Sequence, residues 1–339
     1  MNKKILITGG AGFIGSNLAA HFIKKGALVT LLDNLSRNGG SSNLEWLKRI
    51  GKYNLIIGDI TKFTDCRTAV NGQDAIIHLA GQVAVTTSVD DPRTDFQINT
   101  LGTFNILEAV RINGKKPIFI FSSTNKVYGA MENVKVINKK GQYLYKDYPY
   151  GVSEKINLDF HSPYGCSKGA ADQYVHDYHR IYGIPTVVFR QSCIYGPRQF
   201  GIEDQGWVAW FIIAILTGKK ITVYGDGMQV RDVLYIDDLV NLFELAINKI
   251  SVSSGKIYNV GGGYKNILSV WTKSGPILNR LFAKEIKVRF DKWRPGDQKV
   301  YISDIRLVQK ELGWTPKVSV EEGVKKLYNW VKENRNLFK

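Results

Sequence analysis

A tyrosine and a lysine four residues apart form the pattern in this sequence with the clearest capacity for chemistry. Tyr164 and Lys168 belong to the stretch Tyr-Gly-Cys-Ser-Lys, and on a helix their side chains would share one face. A tyrosine is a poor base at its free pKa of about 10, but a neighbouring ammonium favours the phenolate and lowers the pKa. Taken alone, the pair is equally compatible with a surface contact. Because Ser122, Ser123 and Thr124 also end a predicted strand, we predict a proton-transfer site.

A glycine-rich loop near the N-terminus predicts a site for a dinucleotide. Gly9, Gly12 and Gly15 follow an apolar run and open a helical pattern. The first permits a tight turn, the second lets the backbone approach a pyrophosphate, and the third lets the helix pack closely on the strand. The N–H groups at the start of that helix would face the phosphates. A purely structural glycine loop is the alternative, and the strand–loop–helix context disfavours it.

Two aspartates at strand ends extend this site. Asp33 ends the second predicted strand, where a carboxylate accepts hydrogen bonds from an adenosine ribose and repels a 2′-phosphate. Asp33 therefore favours NAD over NADP, although it could instead cap the next helix, and Arg37 lies close in sequence. Asp59 ends the third predicted strand and is a weaker candidate for contact with the adenine.

Apolar runs alternate with helical patterns through the first half of the chain, which predicts a doubly wound, Rossmann-type parallel sheet of the α/β class. The predicted strands cover residues 4–8, 28–33, 54–57, 75–79, 118–121 and 186–190. The predicted helices cover residues 13–25, 43–50, 63–70, 95–113 and 164–182.

The pattern loosens after residue 190. Short strands at 221–224, 257–260 and 287–290 mix with helices at 207–216, 237–248, 270–282 and 319–331. We predict a nucleotide-binding domain at 1–190 that carries the catalytic helix, and a smaller mixed substrate lobe at 191–339, parts of which return to the first domain. Residues 130–162, rich in Tyr, Lys, Gly and Asn, form an insertion that is either a functional lid or a variable surface loop.

Composition and charge narrow the class of protein. The chain has 339 residues and a net charge of +16. This charge suits an anionic ligand, but many lysines stand in peripheral stretches and no nucleic-acid-binding motif accompanies them, so we expect no nucleic-acid partner. Three scattered cysteines have no metal-ligand spacing, and we expect no metal. Because no secretory signal or membrane-spanning run is visible, we expect a cytoplasmic protein that has no membrane partner.

Several motifs together are similar to the extended short-chain dehydrogenase/reductase family. They are Thr-Gly-Gly-Ala-Gly-Phe-Ile-Gly at 8–15, His-Leu-Ala-Gly at 78–81, Asn-Thr-Leu-Gly-Thr at 99–103, Ser-Ser-Thr at 122–124, the Tyr164–Lys168 pair, and Tyr-Gly-Pro-Arg at 195–198. The resemblance implies that Thr124 and Tyr164 contact the sugar hydroxyl that is oxidised, that Tyr164 is the base, and that Lys168 also binds the nicotinamide ribose. It implies NAD contacts from Gly9, Gly12, Phe13, Ile14, Gly15, Asp33, Asn34, Asp59, Ile60, Leu79, Ala80, Gly81, Asn99, Tyr164 and Lys168. In this family the helices corresponding to 95–113 and 164–182 pair across a two-fold axis, which implies a homodimer.

The stretch Thr-Asn-Lys-Val-Tyr-Gly at 124–129 distinguishes subfamilies. Sugar-nucleotide 4,6-dehydratases carry an acidic residue directly after the threonine, because eliminating water needs an acid and a base. This chain has Asn125 and Lys126 there, which disfavours elimination. With Asp-Gln-Gly-Trp at 204–207 and Gln-Val-Arg-Asp at 229–232, the stretch resembles the 2-epimerases of CDP-hexoses of the paratose and tyvelose type. The resemblance implies a CDP-sugar bound by Gln82, Thr124, Asn125, Lys126, Gln205, Gly206, Trp207, Tyr224, Arg231 and Arg294.

The two arginines of that set suit a diphosphate, because guanidinium groups bind phosphate oxygens in a bidentate manner. Each could instead form a salt bridge to a neighbouring aspartate. Cys193 stands where many 4-epimerases have an asparagine that seats the sugar diphosphate, which suggests a different sugar position. We expect its side chain to be buried and inert.

The reaction implied is inversion of carbon 2 through a transient ketone, with hydride passing to NAD and returning from the same cofactor. A UDP-hexose or UDP-uronate 4-epimerase would use the same residues at another carbon and stays an alternative. A non-catalytic NAD-sensing regulator is a second alternative, which the intact set of Thr124, Tyr164 and Lys168 disfavours.

Overall fold

Helices and strands alternate along the chain, which the computed structural model describes at residues 3–294 and 297–338. The strands are β1 (Lys4–Thr8), β2 (Leu28–Asp33), β3 (Asn54–Ile57), β4 (Ala75–His78), β5 (Ile118–Thr124), β6 (Val136–Asn138), β7 (Tyr143–Tyr145), β8 (Thr186–Gln191), β9 (Cys193–Tyr195), β10 (Thr222–Tyr224), β11 (Val230–Tyr235), β12 (Lys256–Val260), β13 (Ile267–Ser269), β14 (Arg289–Asp291) and β15 (Val300–Tyr301). The α-helices are α1 (Phe13–Lys24), α2 (Gly40–Ile50), α3 (Phe63–Val70), α4 (Val85–Asp90), α5 (Pro92–Phe96), α6 (Gly102–Asn113), α7 (Ser162–Tyr182), α8 (Trp207–Thr217), α9 (Ile236–Asn248), α10 (Ile250–Ser253), α11 (Ser274–Phe282), α12 (Arg306–Leu312) and α13 (Val320–Glu333).

The central sheet has seven strands in the order β12-β8-β5-β4-β1-β2-β3, and each neighbouring pair is parallel. Successive residues of an inner strand point to opposite faces. Ile5 and Ile7 of β1 belong to one core with residues of α1 and α2, whereas Leu6 belongs to a second core with residues of α3, α6 and α7. Burial on both faces explains why these strands read as continuous apolar runs, and it confirms the predicted fold class.

The strand order places the ligand end of this sheet. The chain runs from β1 outward through β2 and β3, then returns to β4 on the other side of β1 and continues to β5 and β8. Sheets of this kind bind ligands at the carboxyl ends of the strands beside that reversal. The glycine loop follows β1 there, and Thr124 ends β5.

The C-terminal part contributes a smaller mixed sheet and one strand of the central sheet. In the smaller sheet β11 pairs with β13, β15 and β9, and β10 pairs separately with β14. Strand β12 lies at the edge of the central sheet beside β8. None of the helices described is both long enough and apolar enough to cross a bilayer.

Several element boundaries differ from the predictions. The helix predicted at 95–113 begins at Pro92 and contains a π-helical turn at Gln97–Leu101. The helix predicted at 270–282 begins only at Ser274, because β13 pairs with β11 and the Val270 N–H donates to the carbonyl of Gln229. The strand predicted at 287–290 is Arg289–Asp291.

The insertion at 130–162 contains the antiparallel hairpin formed by β6 and β7. This hairpin packs on the C-terminal part: the Tyr143 N–H donates to the carbonyl of Met228, and the Tyr145 hydroxyl donates to the carbonyl of Val300. The insertion therefore contacts the loop that joins β10 to β11.

Candidate active site

A cavity of about 400 Å³ lies at the carboxyl ends of the central strands and extends to the C-terminal part. Many of the predicted site residues line it together. They are Phe13, Ile14, Leu79, Gly81, Thr124, Asn125, Lys126, Tyr164, Lys168, Gln205, Gly206, Trp207, Tyr224, Arg231 and Arg294. The cavity thus joins the region of the predicted cofactor to that of the predicted substrate.

Thr124 and Tyr164 form a pair of hydroxyl groups in the cavity wall. Thr124 is the last residue of β5, and Tyr164 lies in the first turn of α7. Both side chains are buried, and the Thr124 hydroxyl lies close enough to the Tyr164 phenol to lower its pKa. The backbone N–H of Tyr164 donates to the Ser88 hydroxyl, with an N–O distance of 3.1 Å. The strand and the helix therefore hold two hydroxyl groups at one point of the cavity.

Lys168 lies one helical turn beyond Tyr164, as the spacing predicts. Its ammonium donates to the carbonyl oxygen of Ser122 over 2.6 Å, and it lies 4.2 Å from the centre of the Phe121 ring. Burial lowers the pKa of Lys168 to about 7, although the nearby carboxylates of Asp172 and Asp95 oppose this shift.

The acidity of Tyr164 differs from the prediction. Burial raises the pKa of Tyr164 to about 12, and the hydrogen bond with Thr124 only partly offsets this effect. The net shift is therefore opposite in direction to the lowering expected from Lys168, which is not among the main causes of the shift. The physical reason is that the ammonium is held at the carbonyl of Ser122, while enclosure of the phenol disfavours its charged form. A positive charge placed beside Tyr164 would favour its phenolate and lower this pKa.

The glycine loop has the shape that a dinucleotide needs. Gly9 has φ +68°, and a Cβ there would lie 2.9 Å from the Ala80 nitrogen. A Cβ on Gly15 would lie 2.2 Å from the Gly9 carbonyl oxygen, so only glycine allows α1 to pack this closely. Gly12 precedes α1, and no side chain caps that helix. Its first residues line the cavity, where N–H groups at a helix start suit a pyrophosphate.

Asp33 lies against the same loop. Its carboxylate accepts hydrogen bonds from the Ala11 N–H at 2.9 Å and the Leu35 N–H at 2.8 Å. The alternative that Asp33 caps the next helix does not apply, because α2 begins after Gly39. The next residue, Asn34, donates to Asp59 over 3.1 Å, so polar side chains from the ends of β2 and β3 meet there.

Asn99 lies in the π-helical turn, and its side chain contacts residues next to the cavity wall. Asn99 donates to Asp95 and to Ser167, each over 3.1 Å, and it accepts from the Gln82 N–H over 2.9 Å. A π-helical turn often marks a functional site. The Gln82 side chain folds back onto Ala84, so it does not line the cavity as a substrate contact would.

Asp95 and Ser167, which this network contains, were not predicted from the sequence. Their hydroxyl–carboxylate hydrogen bond joins α5 to α7, across a separation that no local pattern reveals. The remaining predicted residues do not line the cavity: Gly9, Gly12, Gly15, Asp33, Asn34, Asp59, Ile60, Ala80, Gln82 and Asn99.

The two predicted phosphate-binding arginines differ in their surroundings. Arg294 forms a 2.9 Å ion pair with Asp204, and its guanidinium lies 3.7 Å from the centre of the Tyr224 ring. Arg294 therefore forms the salt bridge that was the alternative to phosphate binding, and both partners of that salt bridge line the cavity. Arg231 donates to the carbonyl of Val230 over 2.9 Å.

Cys193 lies beside these groups. It is half-buried and lines the cavity, so it is less enclosed than predicted. Burial raises the pKa of its thiol, which leaves little of the reactive thiolate at neutral pH.

Alanine at either arginine is expected to weaken nucleotide binding. Loss of a charge-assisted hydrogen bond costs about 1.5–3 kcal/mol, so the affinity of Arg231→Ala and Arg294→Ala for CDP should fall about ten- to a hundredfold. Titration calorimetry with CDP measures this. Arg289→Ala is the matched control, because Arg289 is exposed and pairs with Asp291. An arginine whose variant binds CDP like the control has a structural role only.

Comparisons with known proteins find one family over most of the chain. Residues 6–327 match the family model described as GDP-mannose 4,6 dehydratase. The chain is 46% identical to a CDP-paratose 2-epimerase of Salmonella typhi over 338 residues, with 96% of this chain and 98% of that protein covered. It is 32% identical to a UDP-glucuronate 4-epimerase of Thermodesulfobacterium geofontis, with 98% of both covered.

A solved structure gives the same result. The UDP-glucuronic acid 4-epimerase from Bacillus cereus, in complex with UDP-glucuronic acid and NAD, superposes with a TM-score of 0.84 at 30% identity. The match covers 98% of this chain and 99% of that one.

Proposed function

Since the chain belongs to the extended short-chain dehydrogenase/reductase family that the GDP-mannose 4,6-dehydratase model describes, we propose that this NAD-dependent nucleotide-sugar epimerase inverts carbon 2 of a CDP-hexose. A substrate of the CDP-paratose and CDP-tyvelose type is proposed because identity to the Salmonella typhi 2-epimerase is 46%, whereas it is 32% to the UDP-glucuronate 4-epimerase.

One observation favours an epimerase over a dehydratase. Thr124 and Tyr164 share a cavity, and the two residues that follow Thr124 in its wall are not acids. Asn125 and Lys126 line the cavity directly after Thr124. Eliminating water from a sugar needs a proton donor for the departing hydroxyl and a base beside the ketone. The amide of Asn125 and the ammonium group of Lys126 do not supply the acid and base that dehydration needs. We therefore expect a ketone formed here to be reduced back to an alcohol.

The chain's own residues orient the sugar and move its proton. Thr124 binds the reacting hydroxyl, and Tyr164 takes its proton as the ketone forms and gives one back as the alcohol is restored. Gly12, Phe13 and Ile14 at the start of α1, with Asp33 beside the loop, would hold NAD. When bound, NAD supplies the hydride acceptor and donor and, in its oxidised form, the positive charge that the raised pKa of Tyr164 calls for.

Inversion requires the ketone to present its other face before the alcohol is restored. The cavity extends from Lys168 to Arg231 and Arg294, so the arginines can hold the diphosphate while the sugar ring turns. A diphosphate anchored at one end keeps the intermediate from leaving.

The function is tested with a panel of nucleotide sugars. The protein is incubated with CDP-paratose, CDP-glucose and UDP-galactose, and the sugars are read by NMR. We expect CDP-paratose to be inverted at carbon 2. Inversion at carbon 4 of UDP-galactose, with the CDP-sugars untouched, would replace the proposed substrate with that of a 4-epimerase. Absence of turnover in the whole panel, with NAD bound, would favour a binding protein.

We also propose a homodimer, which is supported by exposed apolar side chains on α5, on the π-helical turn at Gln97–Leu101 and on α7. Phe96 and Leu101 on one side and Tyr174 and Ile181 on the other are 38–64% exposed. The two sides adjoin, because the Phe104 and Tyr174 rings lie 5.6 Å apart. Exposed apolar side chains that lie on adjoining helices suit a protein interface.

We expect light scattering at micromolar concentration to give the mass of a dimer, and the double variant Phe96→Glu, Ile181→Glu to give a monomer. Val252→Glu, at an exposed residue of α10, is the control that should stay dimeric. A monomeric parent protein would contradict the proposal.

A further inference from the structure

We propose that the ammonium of Lys126 binds the phosphate attached to carbon 1 of the sugar, and that its position beside Thr124 selects carbon 2 as the reacting carbon. This inference rests on the proposed function and assigns a specificity-determining role within the same cavity.

The backbone of Lys126 is held against the end of β5, which carries Thr124, and the start of α7, which carries Tyr164. A 3₁₀ turn at Asn125–Tyr128 follows β5 directly, and the Lys126 N–H donates to the Thr124 hydroxyl oxygen over 3.2 Å. The Gly129 N–H donates to the Lys126 carbonyl over 3.1 Å. On the other side Gly165 packs on that carbonyl so closely that a Cβ would lie 3.3 Å from its oxygen. The backbone of Lys126 is therefore held between Thr124 on one side and the first turn of α7 on the other.

The side chain of Lys126 lies in a group of charges that suits an anion. Lys126, Arg231 and Asp297 line the cavity, as does the thiol of Cys193. Burial lowers the pKa of Lys126 to about 8; the neighbouring Arg231 lowers it further, whereas Asp297 and Cys193 oppose the shift. Lys126 and Arg231 are both half-buried in the wall of the cavity, and a phosphate lying between two cations is attracted by both.

The position of this cation along the substrate distinguishes the possible reacting carbons. Carbon 2 is bonded to carbon 1, which carries the phosphate, whereas carbon 4 lies across the sugar ring. If Thr124 and Tyr164 hold the hydroxyl of carbon 2, the phosphate lies next to the reacting centre and within the reach of Lys126. If they hold the hydroxyl of carbon 4, the sugar ring separates the phosphate from it.

Arg294 belongs to a different part of the cavity. It pairs with Asp204 and stacks on Tyr224 of β10, whereas Arg231 lies close enough to Lys126 to lower the pKa of the lysine. The cations therefore extend from the reacting hydroxyl towards β10, which agrees with a diphosphate that begins beside Thr124.

The test compares a nucleoside diphosphate with its monophosphate. CDP carries the phosphate that is attached to the sugar in the substrate, and CMP lacks it. Titration calorimetry is performed on the parent protein, Lys126→Met, Lys126→Arg and the control Lys155→Met, which removes an exposed lysine. Lys126→Gln replaces the methionine variant if that variant does not fold.

We expect Lys126→Met to bind CDP about ten- to a hundredfold more weakly, because a charge-assisted hydrogen bond is lost, and to bind CMP within about twofold of the parent. Lys126→Arg and Lys155→Met should keep the parent's ratio of CDP to CMP affinity. If Lys126→Met also keeps that ratio, the phosphate contact is refuted.

The pH dependence of CDP binding gives a readout that a structural role would not change. The ammonium is lost as pH rises through about 8, whereas a phosphate is fully charged above about pH 7. The affinity of the parent for CDP should therefore fall above about pH 8. Lys168 titrates in the same cavity in every variant, so the comparison is with Lys126→Arg, in which the fall above pH 8 should vanish. A fall of equal size in Lys126→Arg refutes the contact.

The selection of carbon 2 is read from the parent's product. Inversion at carbon 2 together with a changed CDP to CMP ratio in Lys126→Met supports both parts of the inference. If the parent inverts carbon 4 of a UDP-sugar, the proposed function fails and the selection of carbon 2 is refuted with it. The phosphate contact is then decided separately from the ratio of UDP to UMP affinity.

Discussion

Replacement of Tyr164 by phenylalanine is expected to lower turnover by about 10²–10⁴-fold, the usual contribution of a positioned acid–base group. Tyr164 and Thr124 are the hydroxyl pair in the cavity wall, and Lys168 is turned to the carbonyl of Ser122. Phenylalanine keeps the buried ring, so CDP binding and the melting temperature should change little. Turnover is measured by NMR of the sugar.

The control for this substitution is Tyr174→Phe, which changes an exposed tyrosine on the same helix and should leave turnover unaltered. If Tyr164→Phe retained more than about a tenth of the parent's turnover, another group would have to take the hydroxyl proton, and the assignment of Tyr164 as the base would be wrong.

The second large effect is expected on stability, at the ion pair of Asp172 and Arg190. Asp172 lies one turn beyond Lys168, and Arg190 lies in β8. Two hydrogen bonds of 2.8 and 3.0 Å join them, and both side chains are almost fully enclosed. Ser123, next to Thr124, also donates to Asp172 over 2.7 Å. The ion pair therefore attaches α7, which carries Tyr164, to β8, and the Ser123 hydrogen bond attaches the same carboxylate to β5, which ends in Thr124.

Asp172→Asn should lower the free energy of unfolding by about 3–5 kcal/mol, because it leaves a buried guanidinium without its counter-charge. Asp177→Asn on the same helix is the matched control: its pair with Arg180 is exposed and should be worth at most about 1 kcal/mol. Urea unfolding measures both. Equal effects of the two substitutions would mean that the buried pair does not hold α7 in place.

The nucleotide-binding half could be predicted from the sequence because its structure is encoded locally. The runs of β1, β2 and β3 are apolar and short, and each is followed by a helical pattern, so the observed bounds match the predicted ones at Lys4–Thr8, Leu28–Asp33 and Asn54–Ile57. The hydroxyl group of Thr124 and the four-residue spacing of Tyr164 and Lys168 are local features in the same sense.

The C-terminal part could not be predicted in the same way. Strands β9, β13 and β15 have two or three residues each, too few to show a period of two. Pairing with β11 creates them, and the partners lie far away in sequence. The ion pair of Asp172 with Arg190 and the closeness of Lys126 to Arg231 are non-local for the same reason, since only the folded sheet brings these residues together.

The central claim is that the hydrogen on carbon 2 leaves and returns within one active site during each inversion. The most direct measurement uses CDP-paratose that carries deuterium at carbon 2, incubated with the protein in ordinary water and followed by NMR and mass spectrometry. The account predicts that the product inverted at carbon 2 keeps the deuterium there, at the isotopic enrichment of the substrate. Inversion with replacement of the deuterium by hydrogen from water would contradict the account, because it would show that the hydrogen is removed as a proton that exchanges with solvent.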